Sequence, residues 1–123
     1  MLCADTDFFL ALLKGSDWLK QAAKRLLRKY HGQLWTSEVT LTELLLLAEE
    51  FSLDPRRLLV DAMAIARVDD RIGRLYLTAA NVIKQQGVGV FDALHAAYCG
   101  HDQILSSDKV FDRLGLDRIP LRP

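Results

Sequence analysis

Short apolar runs alternate with longer segments of helical periodicity along the chain, and this alternation constrains the fold most. Five runs predict β-strands, at residues 1–4, 33–36, 65–68, 103–105 and 118–120. The segments between them predict helices at 7–13, from Ser16 or Asp17 to 30, and at 37–51, 55–64, 70–86 and 90–99, with a short helix from 108. Strands separated by helices pair in parallel and are covered on both faces. We therefore expect one α/β domain over residues 1–123, a three-layer α/β/α sandwich with a four- to five-stranded parallel sheet.

Composition narrows the class of protein. Hydrophobic residues make up 50% and charged residues 26% of the 123 residues, which is an ordinary globular mixture and excludes a disordered or collagen-like chain. Sixteen basic residues balance sixteen acidic ones, so any binding of nucleic acid must depend on a local patch. Every apolar run is far shorter than the ~18 residues of a membrane span. We expect a soluble, cytoplasmic protein without a membrane partner or signal peptide.

The cysteines and histidines do not have the spacing of a zinc site. They are scattered singly along the chain, at Cys3, His31, His95, Cys99 and His101. We therefore expect both cysteines to be reduced, buried thiols. For His95 we favour a packed core residue over a catalytic base.

Four acids have positions that suggest chemistry. Asp5 follows the first predicted strand and Asp108 the fourth, where parallel sheets place their ligand sites. Glu43 lies in a helix that is apolar nearly all round, where an unpaired charge is costly. Asp92 begins an alanine-rich helix. Each has a purely structural alternative, because Asp5 and Asp108 can be N-caps, Asp92 can complement a helix dipole, and Thr40 with Glu43 spells a capping box.

Taken together, the four acids suggest a metal site. Carboxylate oxygens without histidine or cysteine suit Mg²⁺ or Mn²⁺ rather than zinc. One or two such ions can activate a water and neutralise charge on a phosphate and its leaving oxygen. The acids therefore favour phosphodiester hydrolysis.

Four segments of the chain resemble the motifs of PIN-domain ribonucleases of the VapC-type toxin group. These segments are residues 4–7, 36–44, 87–97 and 104–114, and the last two are the most specific. The resemblance implies that Asp5, Glu43, Asp92 and Asp108 are the catalytic and metal-binding residues of a Mg²⁺-dependent ribonuclease, with Mn²⁺ as a possible substitute. Ser106 stands where the family has Thr or Ser near the site, and Asp112 matches a more variable acid.

The resemblance also implies partners. They are an RNA substrate, a small antitoxin protein and a second copy of the chain in a homodimer. The basic side chains form exposed helix faces that can also contact RNA phosphates, and they are Lys20, Lys24, Arg25, Arg28, Lys29, Arg56, Arg57, Arg71 and Arg74.

Other function classes stay open. A receiver domain that accepts phosphate on aspartate fits the length, but residues 49–57 resemble a helix end and a turn where that class needs an acid after a strand. The segment Asp5-Thr6-Asp7 also resembles the first motif of haloacid-dehalogenase-like phosphatases, although Phe9 departs from that motif and the chain is short for that fold. A non-catalytic PIN-fold binding module is the third alternative.

Overall fold

A computed structural model describes residues 1–14 and 18–122 of the chain. Its helices are α1 (Thr6–Leu13), α2 (Lys20–Lys29), α3 (Glu38–Glu50), α4 (Pro55–Ile65), α5 (Asp70–Gln86), α6 (Val90–Cys99) and α7 (Val110–Arg113). Its strands are β1 (Leu2–Cys3), β2 (Leu34–Trp35), β3 (Ile104–Leu105) and β4 (Arg118–Ile119). The predicted end of the first helix near Gly15 and the predicted cap at Ser16 or Asp17 lie outside the described residues.

The strands pair in parallel, as predicted, but they form two small sheets. β1 pairs with β2 and β3 pairs with β4. The remaining predicted strand is reduced to a parallel bridge between Trp35 and Arg67. Within residues 1–14 and 18–122, the expected four- to five-stranded sheet is therefore not formed. Each strand offers only two residues to a ladder, and most of the buried apolar surface lies between helices instead.

Helix α3 is central to the hydrophobic core. Its buried positions Leu41, Leu44, Leu45 and Ala48 follow the spacing of one helical face. This face packs among α1, α4, α5 and α6. Burial of each leucine contributes about 1.5–3 kcal/mol to the stability of the fold. This fixes the rotation of α3 about its axis and its position along that axis.

Local sequence signals set where most helices begin. Asp54 accepts hydrogen bonds from two backbone amides at the start of α4, and Pro55 occupies the first helical position, where its missing N–H costs nothing. Asp69 caps α5 in the same way. The proposed capping box at Thr40 is wrong, because α3 already begins at Glu38 and Thr40 lies inside it.

Two alternatives from the sequence can be compared with this architecture. α3 ends at Glu50 and α4 begins at Pro55, so the segment between them is a turn, as expected. The receiver-domain alternative therefore lacks its phosphoacceptor strand there. No helix in the described part of the chain has the length and apolar character to cross a membrane.

Thr36 holds the end of β2 to the end of β1. Its side chain is 3% exposed, and its hydroxyl donates a hydrogen bond of 2.8 Å to the carbonyl oxygen of Ala4. The amide of Ala4 in turn donates to the carbonyl oxygen of Trp35 at 2.8 Å. These two bonds fix the backbone immediately before Asp5.

Replacement of Thr36 tests this link. We expect Thr36→Val to lower the free energy of unfolding by about 1–2 kcal/mol, because the shape is kept while a buried carbonyl loses its donor. Thr78→Val is the matched control, since the hydroxyl of Thr78 donates to a carbonyl on an exposed helix surface. It should change stability by less than about 0.5 kcal/mol. Equal losses in urea melts of the two variants would contradict the assignment.

Candidate active site

Asp5 begins the site at the end of β1. It is the N-cap of α1, and its Oδ1 accepts a hydrogen bond of 2.7 Å from the amide of Thr6. The capping role considered from the sequence is therefore confirmed. The carboxylate is exposed, so this bond leaves it accessible to a ligand.

Glu43 contacts the same turn from α3. Its Oε1 accepts a hydrogen bond of 3.0 Å from the hydroxyl of Thr6, whose side chain is 7% exposed. The sequence suggested a charge in an apolar environment, but Glu43 is exposed because the apolar face of α3 turns elsewhere. Thr6 therefore links the cap at Asp5 to Glu43. Sequence reasoning missed Thr6, although a small polar residue directly after the capping acid was a usable signal.

Asp92 lies in the first turn of α6, which packs against α3. Its side chain is half-buried. Among residues 1–14 and 18–122, no hydrogen bond or ion pair engages its carboxylate. The positive end of the helix dipole favours the charge, but a partly buried carboxylate gains further from a cation.

Asp108 and its neighbours form a separate polar cluster after β3. The hydroxyl of Ser106 accepts a hydrogen bond from the amide of Asp108 at 3.0 Å, and Asp108 Oδ1 accepts from the amide of Val110 at 2.9 Å. Asp112 and Arg118 form a bidentate ion pair, in which both N–O distances are 2.9 Å. Arg118 also donates to the carbonyl oxygen of Ser106 at 3.0 Å.

The ion pair determines the electrostatics of this cluster. The hydrogen bonds from Arg118 hold the pKa of Asp112 below its ordinary value of 3.8, and the charges of Arg118 and Lys109 act in the same direction. The same contact raises the pKa of Arg118. Asp112 therefore has a structural partner that tethers β4 to α7.

The structure brings some of the predicted acids together and not others. Asp5 and Glu43 are joined through Thr6. Asp108 follows β3, which belongs to a different strand pair from β1, so hydrogen-bonded strands do not place it beside Asp5. In the part of the chain that the structure describes, no three His, Cys, Asp or Glu side chains are grouped closely enough to hold a metal ion. The donor chemistry itself, carboxylate and hydroxyl oxygens, suits Mg²⁺.

Two expectations about other reactive side chains are wrong. Cys3 is exposed and Cys99 is half-buried, so the cysteines are free thiols but Cys3 is not a core residue. His95 is exposed rather than in the core, because it lies on the outer side of α6. Its ring meets Phe111 edge-on, with 6.2 Å between the ring centroids.

The basic side chains occupy exposed helix surfaces. On α2, Lys20 donates to the carbonyl oxygen of Lys14 at 3.0 Å. Arg57 pairs with Asp61 one helical turn away at 3.2 Å. These contacts are ordinary solvated ones, worth at most about 1 kcal/mol each.

Comparison with known protein families assigns the chain to a family. The model of the PIN domain matches residues 2–116. The chain belongs to the PIN domain family. PIN domains have an α/β fold and are generally hydrolytic nucleases that act on nucleic acids. The family therefore places this chain in the nuclease class. Comparisons with curated proteins and with solved structures returned no significant match.

A structural role for Asp112 in this PIN domain predicts a specific pH dependence. Because its folded pKa is lowered, its charge stabilises the protein above pH 3.8 and this contribution is lost as the pH falls through the folded pKa. We expect Asp112→Asn to lower the melting temperature at pH 7, and the difference from the unaltered protein to shrink as the pH falls below 3.8 through the folded pKa. Asp102→Asn, at an exposed position, is the control and should show no difference at any of these pH values. A pH-independent difference for Asp112→Asn would contradict the ion-pair assignment.

Proposed function

We propose that the chain is a metal-dependent endoribonuclease, with Asp5, Glu43, Asp92 and Asp108 as its catalytic and metal-binding acids. The match to the PIN domain over residues 2–116 carries the proposal, since the family generally hydrolyses nucleic acids. The half-buried carboxylate of Asp92, which has no partner in the described part of the chain, supports a cation at this position.

The donor set favours Mg²⁺ as the resident ion, with Mn²⁺ as a substitute. Asp5, Glu43, Asp92 and Asp108 would hold it through their carboxylates, with the hydroxyl of Ser106 as a further oxygen donor. When bound, the ion would supply positive charge against the phosphate and the leaving oxygen and would lower the pKa of a water.

The protein's own contribution is the orientation of these donors. The buried hydroxyl of Thr6 fixes one oxygen of Glu43, and the backbone of Thr6 fixes one oxygen of Asp5. The hydroxyl of Ser106 fixes the backbone of Asp108. Such supporting hydrogen bonds restrict the carboxylates to few rotamers, which reduces the entropy lost when a ligand binds.

The biological role that we propose is that of the toxin in a toxin–antitoxin pair, acting in the cytoplasm as a homodimer. The support is the resemblance of four segments, at residues 4–7, 36–44, 87–97 and 104–114, to the VapC-type group. A non-catalytic binding module on the same fold is the second candidate, favoured by the observation that no three acids are grouped in the described residues. Loss of growth inhibition in a bacterial host on Asp92→Asn substitution would distinguish a nuclease toxin from such a module.

Addition of metal should stabilise the protein. If the acids form one site, a divalent ion relieves their mutual repulsion and binds only the folded state. The expected gain is about 2.7 kcal/mol at one hundred times the dissociation constant. We therefore expect MgCl₂ or MnCl₂ to raise the melting temperature more than NaCl at equal ionic strength. Equal shifts with the divalent and monovalent salts would contradict a shared acidic site.

Removal of one charge at Asp92 separates catalysis from structure. Asp92→Asn keeps the shape of the side chain but removes a charge that metal binding needs. We expect cleavage of a labelled RNA with Mn²⁺ to fall sharply, while stability in EDTA is unchanged or higher because carboxylate repulsion is relieved.

Asp70→Asn is the matched control for this experiment. Asp70 occupies the first turn of α5 as Asp92 does that of α6, so its loss should cost about 0.3–1 kcal/mol of helix-dipole stabilisation and leave cleavage intact. An Asp92→Asn protein that is destabilised to the same extent and fully active would rule out the catalytic assignment.

A further inference from the structure

Ser106 leads from β3 towards Asp108, and all of its polar groups are engaged. Its amide donates a hydrogen bond of 3.1 Å to the carbonyl oxygen of Ile119 in β4. Its carbonyl oxygen accepts one of 3.0 Å from Arg118, and its hydroxyl accepts one of 3.0 Å from the amide of Asp108. The backbone that leads into this candidate acid is therefore held by β4.

Arg118 is the residue of β4 whose side chain holds this turn. The side chain is 12% exposed, and each of its three guanidinium nitrogens donates a hydrogen bond. Two of these bonds reach the two carboxylate oxygens of Asp112, and the third reaches the carbonyl oxygen of Ser106. Because the guanidinium group is a rigid planar fork, the bidentate pair with Asp112 fixes the direction of the third donor.

Asp108 and Asp112 differ in what their carboxylates contact. Both oxygens of Asp112 accept from Arg118. Asp108 is exposed, and its Oδ1 accepts from the amide of Val110 at 2.9 Å. Within residues 1–14 and 18–122, no hydrogen bond or ion pair engages its Oδ2. Asp108 therefore has an oxygen left for a cation, whereas a cation at Asp112 would have to compete with a guanidinium group that is already in place.

The charge of Arg118 opposes the binding of a cation at Asp108. The hydrogen bonds to Asp112 raise the pKa of Arg118, and the charges of Asp112 and Asp108 act in the same direction, so Asp108 and the guanidinium group interact. A positive charge so placed repels a divalent ion. If Arg118 had no positioning role, its removal would therefore strengthen metal binding. A positioning role predicts the opposite sign.

We propose that Arg118 is a positioning residue that holds Asp108 in place for metal binding, and that Asp112 anchors Arg118 and is not a metal ligand. The proposal rests on the proposed function as a metal-dependent nuclease. It adds to that function a residue outside residues 2–116, the part of the chain that the family model matches. Partners that orient a metal ligand are typically worth about 10- to 100-fold in metal affinity, so the effect is measurable.

Titration of the metal-free protein with Mn²⁺, followed by the electron paramagnetic resonance signal of the free ion, tests the positioning role. We expect Arg118→Gln to weaken Mn²⁺ binding about 10- to 100-fold, although it removes a repelling charge. Arg118→Lys keeps the charge and loses the fork, so it should also weaken binding. Arg113→Gln is the matched control, because Arg113 donates to the carbonyl oxygen of Gln86 at 3.1 Å, and it should not weaken binding.

A measurement without metal reports whether Asp108 is held. In EDTA, we expect Arg118→Gln to raise the hydrogen-exchange rate of the Asp108 amide about 10-fold, since the Ser106 hydroxyl that accepts from this amide is no longer fixed. Arg113→Gln should leave this rate unchanged. The melting temperature in EDTA shows whether each variant is folded, and Arg118→Lys takes the place of Arg118→Gln should the latter not fold.

A double variant tests the role of Asp112. If Asp112 acts only through Arg118, the protein that carries both Asp112→Asn and Arg118→Gln should bind Mn²⁺ about as weakly as Arg118→Gln alone. Losses of affinity that add in the double variant would make Asp112 an independent metal ligand and overturn the proposal.

Two further results would overturn the proposal. One is unchanged or tighter Mn²⁺ binding by a folded Arg118 variant. The other is an unchanged exchange rate of the Asp108 amide in that variant.

The outcomes also separate this proposal from the proposed function. A protein that cleaves RNA with Mn²⁺, and whose Arg118 variants bind the ion normally, keeps the nuclease assignment and loses the role of Arg118. A protein that binds Mn²⁺ in dependence on Asp108 and Arg118 but does not cleave RNA keeps the role of Arg118 and loses the nuclease assignment. An unaltered protein that binds no Mn²⁺ loses both.

Discussion

The packing of α3 into the core is the constraint on which the rest of the molecule depends. Leu41, Leu44 and Leu45 are almost completely buried, so the helix cannot rotate without exposing them. Its other faces are thereby fixed as well. Glu43 is directed to Thr6 on α1, and Glu38 is directed to Tyr98 on α6. One buried stripe thus sets the position of a candidate catalytic acid and of the helix that carries another.

The contact between α3 and α6 shows how this packing affects chemistry. Burial, the hydrogen bond to Glu38 and the charge of Glu38 together raise the pKa of Tyr98 to about 12. Tyr98 is therefore a neutral donor at any physiological pH, and Glu38 is its acceptor. Tyr76, whose hydroxyl lies 2.7 Å from that of Thr42, packs edge-on against Tyr98. This polar network joins α3, α5 and α6 along the flank of the core.

Local features of the fold could be predicted from the sequence and long-range ones could not. The start of α4 was predicted from Pro55 and that of α5 from its apolar periodicity, and the structure adds the caps Asp54 and Asp69, which act on the backbone within three residues of themselves. The strand positions were also close to those observed. The extent of the sheet was not predictable, because it depends on which strands meet and not on their own residues. The prediction that Glu43 lies in an apolar environment was wrong for the same reason, since the exposure of Glu43 depends on how α3 is rotated in the core.

The candidate site shows the same division. The sequence identified four acids and the alternative that Asp5 caps a helix, and the structure shows that capping occupies only one of its oxygens. Capping and metal binding are therefore compatible roles for one carboxylate. Thr6 was not predicted as a site residue because its role depends on a contact with Glu43, 37 residues away. Whether Asp92 and Asp108 join this pair is a matter of tertiary distance, on which motif spacing gives no direct information.

The distribution of charge explains how a neutral chain can serve a polyanionic substrate. Several surface charges are neutralised in pairs, such as Lys84 with Asp54 and Arg118 with Asp112. Arg67, Arg71 and Arg74, in contrast, have no ion-pair partner among the described residues. A chain without net charge gains little long-range attraction for RNA, and screening at physiological salt removes most of what remains beyond about 8 Å. Affinity must then come from short-range contacts at the site itself.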